Sequence, residues 1–121
     1  ATRTSELKKD LDEGLSQSFF DVLPKRMIPA VYRYVLEGIK PGDFLTSVFE
    51  NHLRLSALTA DSENVKVLPQ WALLVYNYTP SACHGSHEKV QEWMKSRSLE
   101  YEKEYQGDAA LKVAVTNGNK L

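Results

Sequence analysis

Apolar residues recur at three- and four-residue spacing along most of the chain, and this spacing constrains the fold more than any other feature. The first repeat places Leu7, Leu11, Leu15 and Phe19 one helical turn apart, with charged residues between them. Because an α-helix has about 3.6 residues per turn, side chains spaced in this way share one face. The repeat predicts an amphipathic N-terminal helix within residues 1–20, with a single narrow apolar stripe.

Four further stretches with helical spacing follow within residues 24–106. The stretch at 41–59 is the richest in apolar residues, so we expect it to be the central helix of the core. Pro69 predicts either a short helical turn followed by a longer helix or one kinked helix. The four stretches are 24–37, 41–59, 61–78 and 86–106. The residues expected in the core are Phe44, Leu45, Val48, Phe49, Trp71, Leu74, Val75 and Trp93.

These patterns predict an all-α fold, a single compact domain of about five helices over residues 1–121. A chain of 121 residues with 42% apolar content can bury one sizeable core. The sequence of residues 107–121 predicts an extended tail. Within it, the side chains of residues 111–115 alternate in character as in a short edge strand, but the sequence predicts no partner strand for it. The narrow stripe of the first helix packs either on its own domain or on a second copy of the chain. The tail is disordered, packed as a coil, or paired with its equivalent in another copy. Because both surfaces are open to a second copy, together they predict a homodimer or a higher oligomer.

The charge balance excludes the function classes that depend on a strong net charge. The chain has 15 basic and 16 acidic residues, so nothing in the net charge requires nucleic acid or an anionic membrane as a partner.

The longest aliphatic run, Ala72–Val75, is far shorter than the roughly 20 residues that span a bilayer. The N-terminal residues lack the apolar core of a signal peptide, and a single cysteine excludes an internal disulfide, so we expect a cytoplasmic protein.

The connection between the last two predicted helices, Asn77 to His87, is the richest in chemically active side chains. Loops of this kind often carry the function of a helical scaffold, and the start of the last helix favours an anion or an acidic group of a partner. Asn51 and His52 also interrupt the apolar arc of 41–59, where they either bond to a neighbouring helix or join the site. An alternative is that the loop only turns the chain. The candidate binding residues are Asn51, His52, Asn77, Pro80, Cys83, His84, Gly85, Ser86 and His87.

Cys83, His84 and His87 form a Cys-His-x-x-His pattern with two possible chemistries. A structural zinc site needs four ligands, and His52 would have to supply the fourth from another helix, so we expect no metal or other cofactor. A nucleophilic Cys83 would have a lowered pKa near a helix start, but an adjacent His84 is poorly placed as its base. We favour Cys83 as a small apolar plug under the loop and expect no catalytic residue.

Several short motifs carry a resemblance to a known family. They are Gly38-Ile39-Lys40-Pro41-Gly42-Asp43-Phe44-Leu45-Thr46, Asn51-His52-Leu53, Ala60-Asp61 with Asn64, Tyr76-Asn77, Pro80, and Cys83-His84-Gly85-Ser86 with Val90 and Trp93. Through these motifs the chain resembles, over about residues 24 to 95, a family of small helical proteins found in phages and prophages. Two positions differ from the family pattern: His52 stands where an aspartate is usual, and His84 where a tryptophan is usual.

The resemblance implies a viral or prophage origin and no assigned chemistry. Small phage proteins that are not virion parts often antagonise host defences, which implies a non-enzymatic binding protein that grips a defence protein or sequesters its nucleotide signal. One alternative is a small metal- or thiol-dependent enzyme that uses Cys83, His84 and His87. Another is a structural or regulatory phage protein that bridges other proteins.

Overall fold

The structure, a computed structural model, describes residues 2–107 and is all-α within them, as the periodicity predicts. Seven α-helices, rather than the five expected, occur in this range because two predicted helices are each divided in two. Of the tail predicted at 107–121, all but Gly107 lies outside the described residues. The helices are α1 Arg3–Leu15, α2 Ile28–Glu37, α3 Asp43–Phe49, α4 Leu53–Thr59, α5 Ser62–Val65, α6 Leu68–Tyr78 and α7 His87–Gly107. Single 3-10 turns lie at Ser18–Phe20, Lys25–Met27 and Ser81–Cys83.

The first helix is shorter than predicted and packs on its own chain. Leu7 and Leu11 are buried where α1 contacts α2 and α6. The helix ends at Leu15 and the chain turns, so the stripe does not continue to Phe19, which is 47% exposed, and Phe20 is buried instead. The prediction of one helix to residue 20 is therefore wrong, and the part of the stripe that lies on α1 is covered by the protein's own core.

The helix predicted at 41–59 is two helices, α3 and α4. Asn51 takes the left-handed conformation, with φ of 62°, which asparagine tolerates better than most residues and which ends α3. His52 then caps α4, because its Nδ1 accepts a hydrogen bond from the backbone N–H of Leu55 at 3.1 Å. The change of direction places Leu53 and Leu58 at the surface rather than in the core.

The next predicted helix divides before Pro69, which confirms the first of the two alternatives for this proline. Asp61 caps the short α5 by accepting hydrogen bonds from the N–H groups of Glu63 and Asn64. Pro69 then lies in the first turn of α6, where a missing N–H leaves no bond unmade. The buried Asn64 links the two helices, since its Oδ1 accepts a bond from the Trp71 indole N–H at 2.9 Å.

The long α7 packs along α2 and contacts α1 through one buried cation. Arg97 is buried and its Nε donates to the backbone oxygen of Leu36, near the end of α2, at 2.7 Å. The other nitrogens of its guanidinium bind Glu100, Glu104 and the hydroxyl of Thr4 on α1. Arg97 thus joins three helices, and Glu104 keeps the second half of α7 close to α1 rather than projecting freely into solvent.

The core lies where the sequence predicts it. Seven of the eight expected core residues are buried, and Val48 is partly buried at the edge. Tyr34 and Phe49 are in ring contact at its centre, with ring centroids 4.4 Å apart. Among the described helices, none is long and apolar enough to cross a membrane.

Candidate functional site

A groove on the surface brings four of the nine predicted site residues together. It encloses about 620 Å³ and is lined by the start of α4, one side of α6 and the loop that joins α6 to α7. Such a volume is within the usual range for ligand pockets. Of the predicted residues, Asn51, His52, His84 and Gly85 line this groove.

The walls of the groove are mostly apolar and are open to solvent. Leu53 on α4 is 77% exposed, and Tyr76 on α6 is 73% exposed. Leu68, Ala72 and Leu73 of α6 line the same space. Exposed large apolar side chains that share one concave surface are typical of a binding site, whereas single exposed leucines are common on any protein.

The loop that closes the groove is held by two hydrogen bonds to buried groups. The Tyr34 hydroxyl donates to the backbone oxygen of Cys83 at 2.7 Å, and both residues are buried. The backbone N–H of Gly85 donates to the backbone oxygen of Phe49 at 2.8 Å. Gly85 has φ of 121°, a conformation that side chains rarely adopt. The core thus fixes the position of His84, which lies between these two anchors.

His84 presents a neutral ring to the groove. Burial, and secondarily the charge of Lys89, lowers the pKa of its imidazole below the ordinary value of 6.5. Its ring meets the Tyr76 ring edge-on, with centroids 6.4 Å apart. The buried Nε2 of His84 has no hydrogen-bond partner within residues 2–107. A partly buried neutral imidazole next to an exposed aromatic ring suits contact with an apolar or neutral group.

Cys83 is buried beneath the loop that joins α6 to α7, and its thiol is not exposed to solvent. Burial raises the pKa of its thiol to about 12, so the nucleophilic thiolate is scarce near neutral pH. The expectation of a lowered pKa at this helix start is therefore wrong, because the loss of solvent outweighs any effect of the helix dipole. The interpretation of Cys83 as a small apolar plug is confirmed.

The start of α7, where the sequence favours an anion, is already occupied by groups of the chain itself. The Ser86 hydroxyl accepts a bond from the Lys89 backbone N–H at 3.1 Å, which makes Ser86 the cap of the helix. Nδ1 of His87 lies 2.6 Å from a carboxylate oxygen of Glu50. Ser86 and His87, two of the residues predicted to face a partner, are thus each engaged by a group of the chain itself.

The remaining predicted residues do not line the groove. Asn77 is exposed on α6, and Pro80 precedes the 3-10 turn of the loop. His87 pairs with Glu50, so it does not join His84. In the described part of the chain, no three histidine, cysteine or acidic side chains come close enough together to hold a metal ion. The Cys-His-x-x-His pattern, the sequence basis of the alternative zinc site, thus forms no such cluster within residues 2–107.

Two kinds of groove residue are absent from the set predicted from the sequence. The apolar walls, including Leu53 and Leu73, belong to stretches that the spacing predicts as core helices, and none of their leucines is among the predicted binding residues. Lys89 lies one turn into α7 and reaches the groove over Gly85, with its Nζ 3.4 Å from the backbone oxygen of Ser81. The leucines of α4 and α6 lie on more than one face of each helix, and this is the only sign of the apolar walls in the sequence.

Comparisons with known proteins identify no relative of the chain. A scan against protein-family models and searches of curated proteins and of solved structures each find no match to the chain.

Proposed function

We propose that this chain is a non-enzymatic binding protein whose working surface is the groove between α4, α6 and the 79–86 loop. The observation that carries the proposal is the groove itself, in which exposed Leu53 and Tyr76 share a concave surface with His52 and His84. The position of the loop is set by hydrogen bonds with buried residues, so the surface is formed before a partner arrives. A pre-formed surface lowers the ordering cost of binding.

The side chains support binding rather than catalysis. The one thiol is buried with a raised pKa, and Nε2 of His84 has no hydrogen-bond partner among residues 2–107, the thiol and every acid included. Covalent catalysis requires an activated nucleophile within hydrogen-bond reach of a base. The alternative of a thiol-dependent enzyme therefore has no supporting geometry at Cys83.

The resemblance to small phage and prophage proteins supplies the biological setting of the proposal. The protein would act in the cytoplasm of the infected host, where it antagonises a defence system. The target is either a defence protein or the nucleotide signal that activates it. A structural or regulatory phage protein, which bridges other proteins, uses the same kind of surface and differs in its partner.

Self-association is a separate proposal with weaker support than the groove. One of its two reasons is removed, because the apolar stripe of α1 is covered by α2 and α6. The other reason, the tail at 108–121, lies outside the described residues. The proposed function requires only one copy of the chain. Sedimentation velocity at micromolar concentration measures the oligomeric state directly.

Native mass spectrometry of the tagged protein recovered from infected cells tests the proposed function. The variants are Leu53→Asp inside the groove and Leu58→Asp on the same helix outside it, where the side chain is similarly exposed. We expect the parent and Leu58→Asp proteins to retain the same partner mass, and Leu53→Asp to lose it. Both substitutions are at exposed positions, so the fold should be unaffected, which circular dichroism verifies.

Two outcomes contradict the proposal. Retention of the partner by Leu53→Asp would place the binding surface elsewhere, for instance on the second half of α7. A stoichiometric metal ion that is lost on changing Cys83, His84 and His87 would favour the alternative of a metal-dependent enzyme.

A further inference from the structure

We propose that the groove takes an amphipathic helix of a partner protein, with aliphatic side chains in the groove and an acidic side chain at Lys89. This inference rests on the proposed function and names the class of partner that the groove recognises. Three observations carry it: the scarcity of free backbone hydrogen-bonding groups, the length of the apolar wall, and the charge at one end.

Apart from the unpaired Nε2 of His84, the groove offers little to an extended peptide backbone. The Gly85 N–H is already bonded to the Phe49 carbonyl, and Nδ1 of His52 is bonded to the Leu55 N–H. Within residues 2–107 there is no strand, and hence no sheet edge to which a peptide strand can be added. A peptide that enters an apolar groove must satisfy its own backbone N–H and C=O groups, and an α-helix does so internally.

The length of the apolar wall matches two turns of helix. Leu68, Ala72 and Tyr76 line the groove at four-residue intervals along α6, which spans about 12 Å at 1.5 Å per residue. Aliphatic residues at positions i, i+4 and i+7 of a partner helix span about 10.5 Å by the same rise. Such a row faces the wall with one side chain beside each of these three residues.

The charge at the end of the groove selects an acidic partner over a basic one. Lys89 is the only charged side chain among the described residues that line the groove. An adjoining depression is lined by one residue of each charge, Arg54 and Glu50, so it adds no net charge beside the groove. The charge of the groove itself comes from Lys89. An acidic side chain one turn beyond the aliphatic row would therefore meet Lys89 with favourable charge.

The same features disfavour a nucleotide signal. Several phosphates need several cations or free N–H groups at a helix start. Here the groove has one lysine, and at the start of α7 the Lys89 N–H is already bonded to the Ser86 hydroxyl. An apolar wall with one cation suits a leucine-rich acidic helix better.

A yeast-displayed library of randomised helical peptides, sorted against the purified 121-residue chain, tests the inference. We expect selected peptides to carry aliphatic residues at i, i+4 and i+7 and an Asp or Glu one turn beyond. The best peptide is then synthesised with Glu or with Lys at that position and titrated against three proteins. These are the parent, Lys89→Glu, and Lys95→Glu, an exposed control on the same helix outside the groove.

The expected result is a reversal of preference that is specific to Lys89. Lys89→Glu should weaken the acidic peptide about three- to ten-fold and strengthen the basic one, because attraction becomes repulsion in each case. Lys95→Glu should change neither affinity. If peptides bind in a manner that Leu53→Asp abolishes but Lys89→Glu leaves unaltered, the acidic-helix inference is overturned while the proposed function stands. Binding of ATP, cyclic di-AMP or ADP-ribose that is lost in Leu53→Asp would also overturn it, in favour of a nucleotide ligand.

Discussion

Removing the hydroxyl of Tyr34 should destabilise the protein through the loop of the groove. Tyr34 is buried, and its hydroxyl donates to the backbone oxygen of Cys83 at 2.7 Å. Tyr34→Phe retains the ring, which packs against Phe49 at a centroid distance of 4.4 Å, so the hydrogen bond is the main loss. The substitution leaves a buried carbonyl without this donor.

The expected cost follows from that buried carbonyl. An unsatisfied buried polar group costs about 1 to 3 kcal/mol, against a total stability of about 5 to 15 kcal/mol for a small domain. For a domain of this size, each kcal/mol lowers the melting midpoint by about 4 °C. Hydrogen exchange at the Gly85 N–H, which bonds to the Phe49 carbonyl, should also become faster because the neighbouring anchor is lost.

Urea unfolding of the parent and two tyrosine variants provides the assay. The control is Tyr78→Phe, which removes a hydroxyl that hydrogen-bonds the exposed side chain of Gln17 and should change the free energy of unfolding by less than about 0.5 kcal/mol. The denaturant slope should be equal in all three proteins, since the surface exposed on unfolding is the same. Equal stability losses in the two variants would refute the idea that the buried hydroxyl anchors the loop.

Three further substitutions or reactions have outcomes that the structure predicts. A Cβ at Gly14 would lie 2.5 Å from the Tyr78 ring, so Gly14→Ala should lower the free energy of unfolding measured in urea. The cost of overpacking, about 1 to 3 kcal/mol, exceeds the gain in helix propensity of about 0.5 to 1 kcal/mol. Cys83 should react with iodoacetamide in the native protein far more slowly than after unfolding in urea, and equal rates would contradict its burial. Burial and Lys89 lower the pKa of His84 below 6.5, so the unfolded chain binds the proton more tightly and stability falls as pH drops below that value. His84→Gln should therefore lose less stability than the parent between about pH 8 and about pH 5 in denaturant titrations, and an unchanged pH dependence would contradict this.

The sequence predicts the helices well and their interruptions less well. Helical spacing identifies the all-α class and most of the core because apolar residues such as Phe44, Trp71 and Trp93 must turn inward. Helical spacing does not reveal the division between α3 and α4, because Leu53 and Leu58 continue the apolar pattern although they are exposed. The Asn51-His52 pair is the only local signal of the division, because asparagine accepts the left-handed conformation and His52 can cap the next helix.

The sequence predicts only part of the candidate site, because helical spacing does not show which apolar side chains are exposed. His84 and Gly85 stand out in the sequence as polar or flexible residues of a rich loop, and the structure places both in the groove. The walls of the groove come from helices that also supply the core, and periodicity cannot tell an exposed Leu73 from a buried Leu74 until the helix is oriented. Lys89 reaches the groove over a glycine, which depends on the path of the loop.

Leucine methyl NMR of the complex with the partner recovered from infected cells tests the central claim most directly. The claim predicts that the methyl resonances of Leu53, Leu68 and Leu73, which line the groove, shift on binding. Those of Leu58 and Leu99, which are exposed outside it, should remain in place. Shifts confined to Leu58 or Leu99, with the groove leucines unchanged, would contradict the assignment of the groove as the binding surface.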